Sequence, residues 1–181
     1  MAPLRSSMSS IAIRPAVLQD IPAITRIYAH AVRVGTASFE LEPPDESEMQ
    51  RRFEAMVASG HPYLVAASGD LVAGYAYAGP YRPRPAYRFS VEDSVYIAPD
   101  QHRRGIGRAL LERLIVDAEG RGFRQMLAVI GDSAQTPSIE LHRAAGFRPV
   151  GTFEAVGFKF GRWLDTVLMQ RPLGPGATTS P

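Results

Sequence analysis

The chain has 181 residues, room for one sizeable domain, and its 45% hydrophobic and 21% charged content excludes a disordered protein. With no cysteine, it has no disulfide framework, thiolate metal site, iron–sulfur cluster or cysteine nucleophile. A net charge of +2 is too small to mark a nucleic-acid binder, so the placement of individual arginines matters more than their number.

Residues 1–10 contain one arginine and no apolar run; they read as a disordered leader and not as a secretory signal. Ile11-Ala-Ile13 is an opening strand. Asp20 as N-cap, Pro22 in a first turn, and Ile21, Ile24 and Ile27 at helical spacing predict a helix that ends at Gly35. Asp45-x-x-Glu48 is a capping box that opens a second helix with Met49, Phe53 and Met56 on its apolar face. Strands over 63–67 and 71–77 flank a Ser-Gly-Asp hairpin turn, and a loop rich in arginine and proline follows over 79–88. A strand over 91–98 leads through Gln101-His-Arg-Arg-Gly-Ile-Gly107 into a helix bearing Leu110, Leu111, Leu114 and Ile115. Next come an apolar strand over 126–130, a helix near 137–145 and two closing strands near 149–158 and 162–170. The domain is therefore expected over 11–173 as an α/β fold, a mixed sheet with helices on its faces, followed by a disordered tail over 174–181. No apolar stretch reaches the roughly 18 residues of a membrane span, so a cytoplasmic protein without membrane contact is expected.

The chemistry concentrates at Arg103-Arg104-Gly105-Ile106-Gly107-Arg108. Two glycines allow close backbone approach, a helix N-terminus offers unpaired N–H groups, and three arginines add charge, which together suit a diphosphate. The same residues also fit a solvated basic turn, a nucleotide- or dinucleotide-binding oxidoreductase, or a non-catalytic acyl-CoA-binding module. No Walker loop is present. The third glycine of a dinucleotide fingerprint is replaced by Leu110. His30, His61, His102 and His142 are too scattered to spell a metal site, and none is expected. Nucleic acid is not expected either, because aromatic residues do not interleave with the basic ones.

This loop resembles the Q/R-x-x-G-x-G/A motif of the GNAT family of acyl-CoA-dependent N-acetyltransferases. Further segments are similar to its phosphinothricin and methionine sulfoximine acetyltransferase subgroup: Ala78-Gly-Pro80, Arg82-x-Arg84, Ala86-Tyr87, Val91-Glu-Asp-Ser-Val-Tyr96, Pro137-Ser138, Leu141-His142 and Gly157 to Asp165. The resemblance covers about residues 11–172. It implies a GNAT fold with a mostly antiparallel sheet and transfer of an acetyl group from acetyl-CoA to the α-amine of a small amino-acid-like substrate. Glu92 would be the general base of a direct transfer and His142 would serve the departing sulfur. Val95, Tyr96, Ile97, Arg103, Arg104, Gly105, Ile106, Gly107, Arg108 and Gln135 would hold the coenzyme. Arg82, Arg84, Tyr87, Ser94 and Phe39, together with Glu92, would hold the acceptor. A homodimer packed through the Trp163 segment is implied as well. In two places the sequence departs from the pattern: His102 stands at the Q/R position with Gln101 before it, and Gln135 replaces the family asparagine.

Overall fold

The computed structural model describes residues 11–181, so the leader expected over 1–10 lies outside the described residues. In chain order the elements are β1 (Ala12–Pro15), α1 (Ile21–Val34), α2 (Glu46–Ala58), β2 (Tyr63–Ser68), β3 (Leu71–Pro80), β4 (Ser90–Ile97), α3 (Ile106–Gly120), β5 (Gln125–Gly131), α4 (Thr136–Ala144), β6 (Arg148–Lys159) and β7 (Arg162–Pro172). Each expected element is present, and most strands run one to three residues longer than periodicity suggested. The extra length comes from partners across the sheet, which local sequence does not show.

The helix boundaries follow the expected signals, with two changes of role. Asp45 Oδ1 accepts the Glu48 N–H at 2.8 Å, which is half of a capping box. The other half is missing because the Glu48 carboxylate turns to Arg51 and Arg52. Asp20 stands at the expected N-cap of α1, yet its side chain caps nothing in the helix. Its oxygens instead take the Arg14 guanidinium at 2.7 and 2.8 Å and the Val17 N–H at 2.8 Å, which ties β1 to α1.

The seven strands form one sheet in the order β1-β2-β3-β4-β5-β7-β6. Every neighbouring pair is antiparallel except β4 with β5. Helices α3 and α4 cover one face around Leu110, Leu111, Leu114 and Met126. On the other face α1 and α2 pack around Ile24, Val32, Phe53 and a group of tyrosines. The parallel pair is short: β4 meets β5 only from Ser90↔Gln125 to Asp93↔Ala128. Beyond that point β4 stays bonded to β3 as far as Ile97, and β5 stays bonded to β7 as far as Gly131. The sheet therefore forks in its middle.

Residues 174–181, expected to be disordered, are laid down as turns on Arg124. Its guanidinium donates to the carbonyls of Gly176 (3.3 Å) and Ser180 (2.9 Å) and to Thr179 Oγ1 (3.1 Å). The tail's own composition cannot show a donor that lies fifty residues upstream.

Candidate active site

The fork opens a cleft of about 370 Å³ whose walls are the diverging inner edges of β4 and β5, the start of α3, the end of α1 and the first turns of α4. Val95, Tyr96 and Ile97 line it from β4, and Val129 to Gly131 line it from β5. Along those stretches the facing edges have no strand partner, so backbone N–H and C=O groups are left for a ligand.

At the mouth of the cleft is the turn into α3. The backbone is left-handed at Arg103 (φ 61°) and at Gly105 (φ 76°). Glycine takes that conformation freely, whereas for arginine it costs about 1–2 kcal/mol. No side chain caps α3. The Ile106 side chain is buried in the core, and its amide is among the first N–H groups of the helix, which have no partner within it. Gly107 borders the cleft directly. The three arginines of the turn are placed unequally. Arg104 donates to the buried Gln101 Oε1 at 2.6 Å, and Arg108 pairs with Glu112 at 2.7 Å in solvent. Arg103 has no partner among the described residues. Gln101 therefore works inside the turn, and the exposed His102 lines the cleft. The Gln135 amide, expected to reach a coenzyme, donates to Thr36 Oγ1 at 2.9 Å from the cleft wall.

Period-2 alternation sends the side chains of β4 to opposite faces of the sheet. Val91, Val95 and Ile97 pack against the α3 layer, while Tyr96 packs against α1 and stacks on Tyr75. Glu92 and Ser94 share the α1 face, where Ser94 bonds the Tyr77 hydroxyl. Burial raises the Glu92 carboxyl to a pKa of about 7; the neighbouring Asp93 charge adds to the rise and Arg82 opposes it. Arg82 is exposed, with its guanidinium 5.2 Å from the centre of the Tyr81 ring. Tyr81 in turn meets Tyr87 edge-on at 5.5 Å. Arg84, also exposed, stands at the head of the short turn containing Tyr87. Phe39 lies outside the cleft lining: its ring passes over Gly131 and Gly157, where any Cβ would strike it. Close by, Lys159 is buried and donates to the Ser38 carbonyl at 2.7 Å, and burial lowers its pKa.

Asp93 points the other way, toward α4. Its Oδ2 lies 2.8 Å from His142 Nε2, and His142 Nδ1 lies 2.7 Å from the Ser138 carbonyl. Both ring nitrogens face oxygens that can accept, an arrangement that favours the doubly protonated imidazole. Burial pulls its pKa down, but the hydrogen bond and charge of Asp93, together with Ser138, outweigh that and raise it. The edge of Phe147 closes the ring's apolar side at 5.0 Å. The structure thus places Glu92 and His142 on opposite faces of one strand at the closed end of the fork. Sequence reasoning did not single out Asp93. The available signal was its parity: a carboxylate in phase with Val91 and Val95 points into an apolar layer and needs a buried partner there.

The acetyltransferase (GNAT) family profile matches residues 24–147. The phosphinothricin N-acetyltransferase of Alcaligenes faecalis is 59% identical over 162 residues, 90% of this chain and 82% of that protein. The L-methionine sulfoximine/L-methionine sulfone acetyltransferase of Pseudomonas aeruginosa is 43% identical over 168 residues, 92% of this chain and 96% of that protein. Among solved structures, a GNAT superfamily phosphinothricin acetyltransferase from Sinorhizobium meliloti in complex with acetyl-CoA superposes with a TM-score of 0.92 at 50% identity, covering 95% of this chain and 93% of its own.

Proposed function

Because the chain belongs to the GNAT family of acetyl-CoA-dependent N-acetyltransferases, we propose that it acetylates the α-amine of a small amino-acid-like compound of phosphinothricin, methionine sulfoximine or methionine sulfone type, by direct transfer. The observation that carries the reading is the four-residue register of β4 with β5, which leaves an open edge running from the α3 N-terminus as far as Asp93, the residue next to Glu92. The dinucleotide alternative gives way: its fold needs a run of parallel strands, and this sheet has one parallel pair.

The residues present fit the coenzyme. Uncapped amides at Ile106, Gly107 and Arg108, with Arg103 nearby, would hold its diphosphate, and the inner edges of Val95 and Ile97 would pair with its amide-bearing arm. Acetyl-CoA supplies an acyl group activated as a thioester. Glu92 would accept a proton from the acceptor's ammonium group; a carboxyl with a pKa of about 7 is half ionised at neutral pH and basic enough for the task. His142, cationic beside Asp93, would give the leaving sulfur its proton, for which Nε2–H must turn away from Asp93. Arg82 and Arg84 would meet the anionic groups of the acceptor, with Tyr87 and the Ser94–Tyr77 pair as surrounding walls, while Phe39, packed over Gly131 and Gly157, would stand behind the cleft wall. A homodimer is part of the proposal. It is supported by a cluster of large apolar side chains on β6, β7 and the turn between them (Val150, Phe153, Val156, Phe158, Phe160 and Trp163), each more than half exposed.

The test is thiol release from acetyl-CoA across a panel of phosphinothricin, methionine sulfoximine, methionine sulfone, glutamate and methionine. Turnover should favour the first three. No release with any of them would sink the proposal.

A further inference from the structure

At the apex of the fork, Asp93 has an oxygen that neither the fold nor the mechanism above uses. Oδ2 is taken by His142, while Oδ1 is fully buried and has no hydrogen-bond partner. A carboxylate oxygen left unpaired in the interior costs stability, and such atoms usually mark a missing partner. Asp93 is also the last residue of β4 that pairs with β5, and it lines the cleft together with Ser138 and His142.

We propose that Asp93 Oδ1 accepts a hydrogen bond from an amide N–H of the pantetheine arm of acyl-CoA, while Oδ2 holds His142 in place. The inference rests on the acyl-CoA reading above. Val95, Ile97 and Gly107 line the cleft on the same side of β4 as Asp93. A chain laid from the α3 N-terminus along that side meets Asp93 about four strand residues beyond Ile97, roughly 13 Å at the usual rise. The donors on such a chain are two amide N–H groups and one hydroxyl; the hydroxyl lies close to the diphosphate end, so at that reach the donor is an amide. The charge balance points the same way: Asp93 already has in His142 a partner whose cationic form it favours, so the vacant lone pair suits a neutral N–H better than an ammonium ion. The acceptor's ammonium belongs to Glu92, on the other face of the strand. A metal ion is poorly served there, because no group of three or more candidate ligands exists among the described residues.

The test is a cycle between protein and ligand. Calorimetry would measure the affinity of acetyl-CoA and of two analogues, each with one pantetheine amide replaced by an ester that keeps the carbonyl and loses the N–H. With the unsubstituted protein, one of the two analogues should bind about 10-fold more weakly or worse. With Asp93→Ala the same replacement should cost less than about 3-fold, since the acceptor is gone. Asp93→Asn, which keeps an oxygen at that position, should restore most of the discrimination. If Asp93→Ala leaves His142 too poorly held for folding, Asp93→Ala/His142→Phe carries the comparison. Equal losses with and without the carboxylate, or no loss in the unsubstituted protein, overturn the inference while acetyl-CoA binding stands. Failure of the unsubstituted protein to bind acetyl-CoA at all would overturn the function along with it.

Discussion

Glu92 and Asp93 are adjacent carboxylates in different environments, and the difference comes from parity on a strand. Burial pushes the Glu92 carboxyl up to about 7 against the pull of Arg82; Asp93 faces His142 and raises the pKa of the imidazole. Glu92→Gln should therefore lower kcat/KM by about 10² or more and abolish the rise in rate as pH passes through 7, checked by steady-state kinetics from pH 5.5 to 8.5. An unchanged acid limb would show that another group is the base. The same shift has a stability consequence. The folded protein holds this proton more tightly than the unfolded chain, so the contribution is complete below pH 4.5 and lost as pH rises through about 7. The melting temperature of Glu92→Gln should accordingly gain on that of the unsubstituted protein between pH 5 and pH 8. The residue type and its strand were legible in the sequence. The partner of Asp93 was not, because Asp93 and His142 are 49 positions apart and meet only through the fold.

The turn into α3 shows what element-level reasoning captures. Glycine spacing, the following helix and the cluster of arginines located the turn, and its geometry has the left-handed backbone such spacing allows. What the sequence could not show is that Arg104 and Arg108 have partners within the protein, since charge alone does not say whom it meets. Gly107 separates fold from function. A Cβ there would meet Leu141 and Ile97 at 3.6 and 3.8 Å, ordinary contact distances. Gly107→Ala should therefore stabilise the free protein by about 0.5–1 kcal/mol through helix propensity while weakening acetyl-CoA binding. Thermal melts and calorimetry on one preparation would check both signs. A loss of stability with unchanged affinity would mean that the glycine serves the fold alone. The register of β4 with β5 was invisible to periodicity for a similar reason: alternation identifies a strand and its faces, but not where two strands part.

At the scale of the molecule, the order of eleven elements and the two-sided covering of the sheet were legible, while the exposed face of β6 and β7 was not. Val150, Phe153 and Val156 miss the two-residue period because register shifts interrupt the pairing of β6 with β7, and only the three-dimensional fold shows that no layer covers them. β6 is an edge strand of 12 residues with aromatic side chains in solvent, an arrangement that invites pairing with another chain. Sedimentation should find a dimer at micromolar concentration, and Trp163→Glu should shift it to monomer, given that a stable interface needs about 800 Å² from each partner. A monomer in the unsubstituted protein would remove the dimer from the proposal.

The fork gives the fold an unfinished seam, and whatever completes the seam also reinforces the whole sheet. An arm that binds the inner edges of β4 and β5 bridges the two halves of the molecule, so its binding energy adds to their cohesion by mass action. On this reading the melting temperature of the protein climbs with the concentration of the acyl donor, and the gain is spread over both halves of the sheet instead of being confined to the residues that touch the ligand.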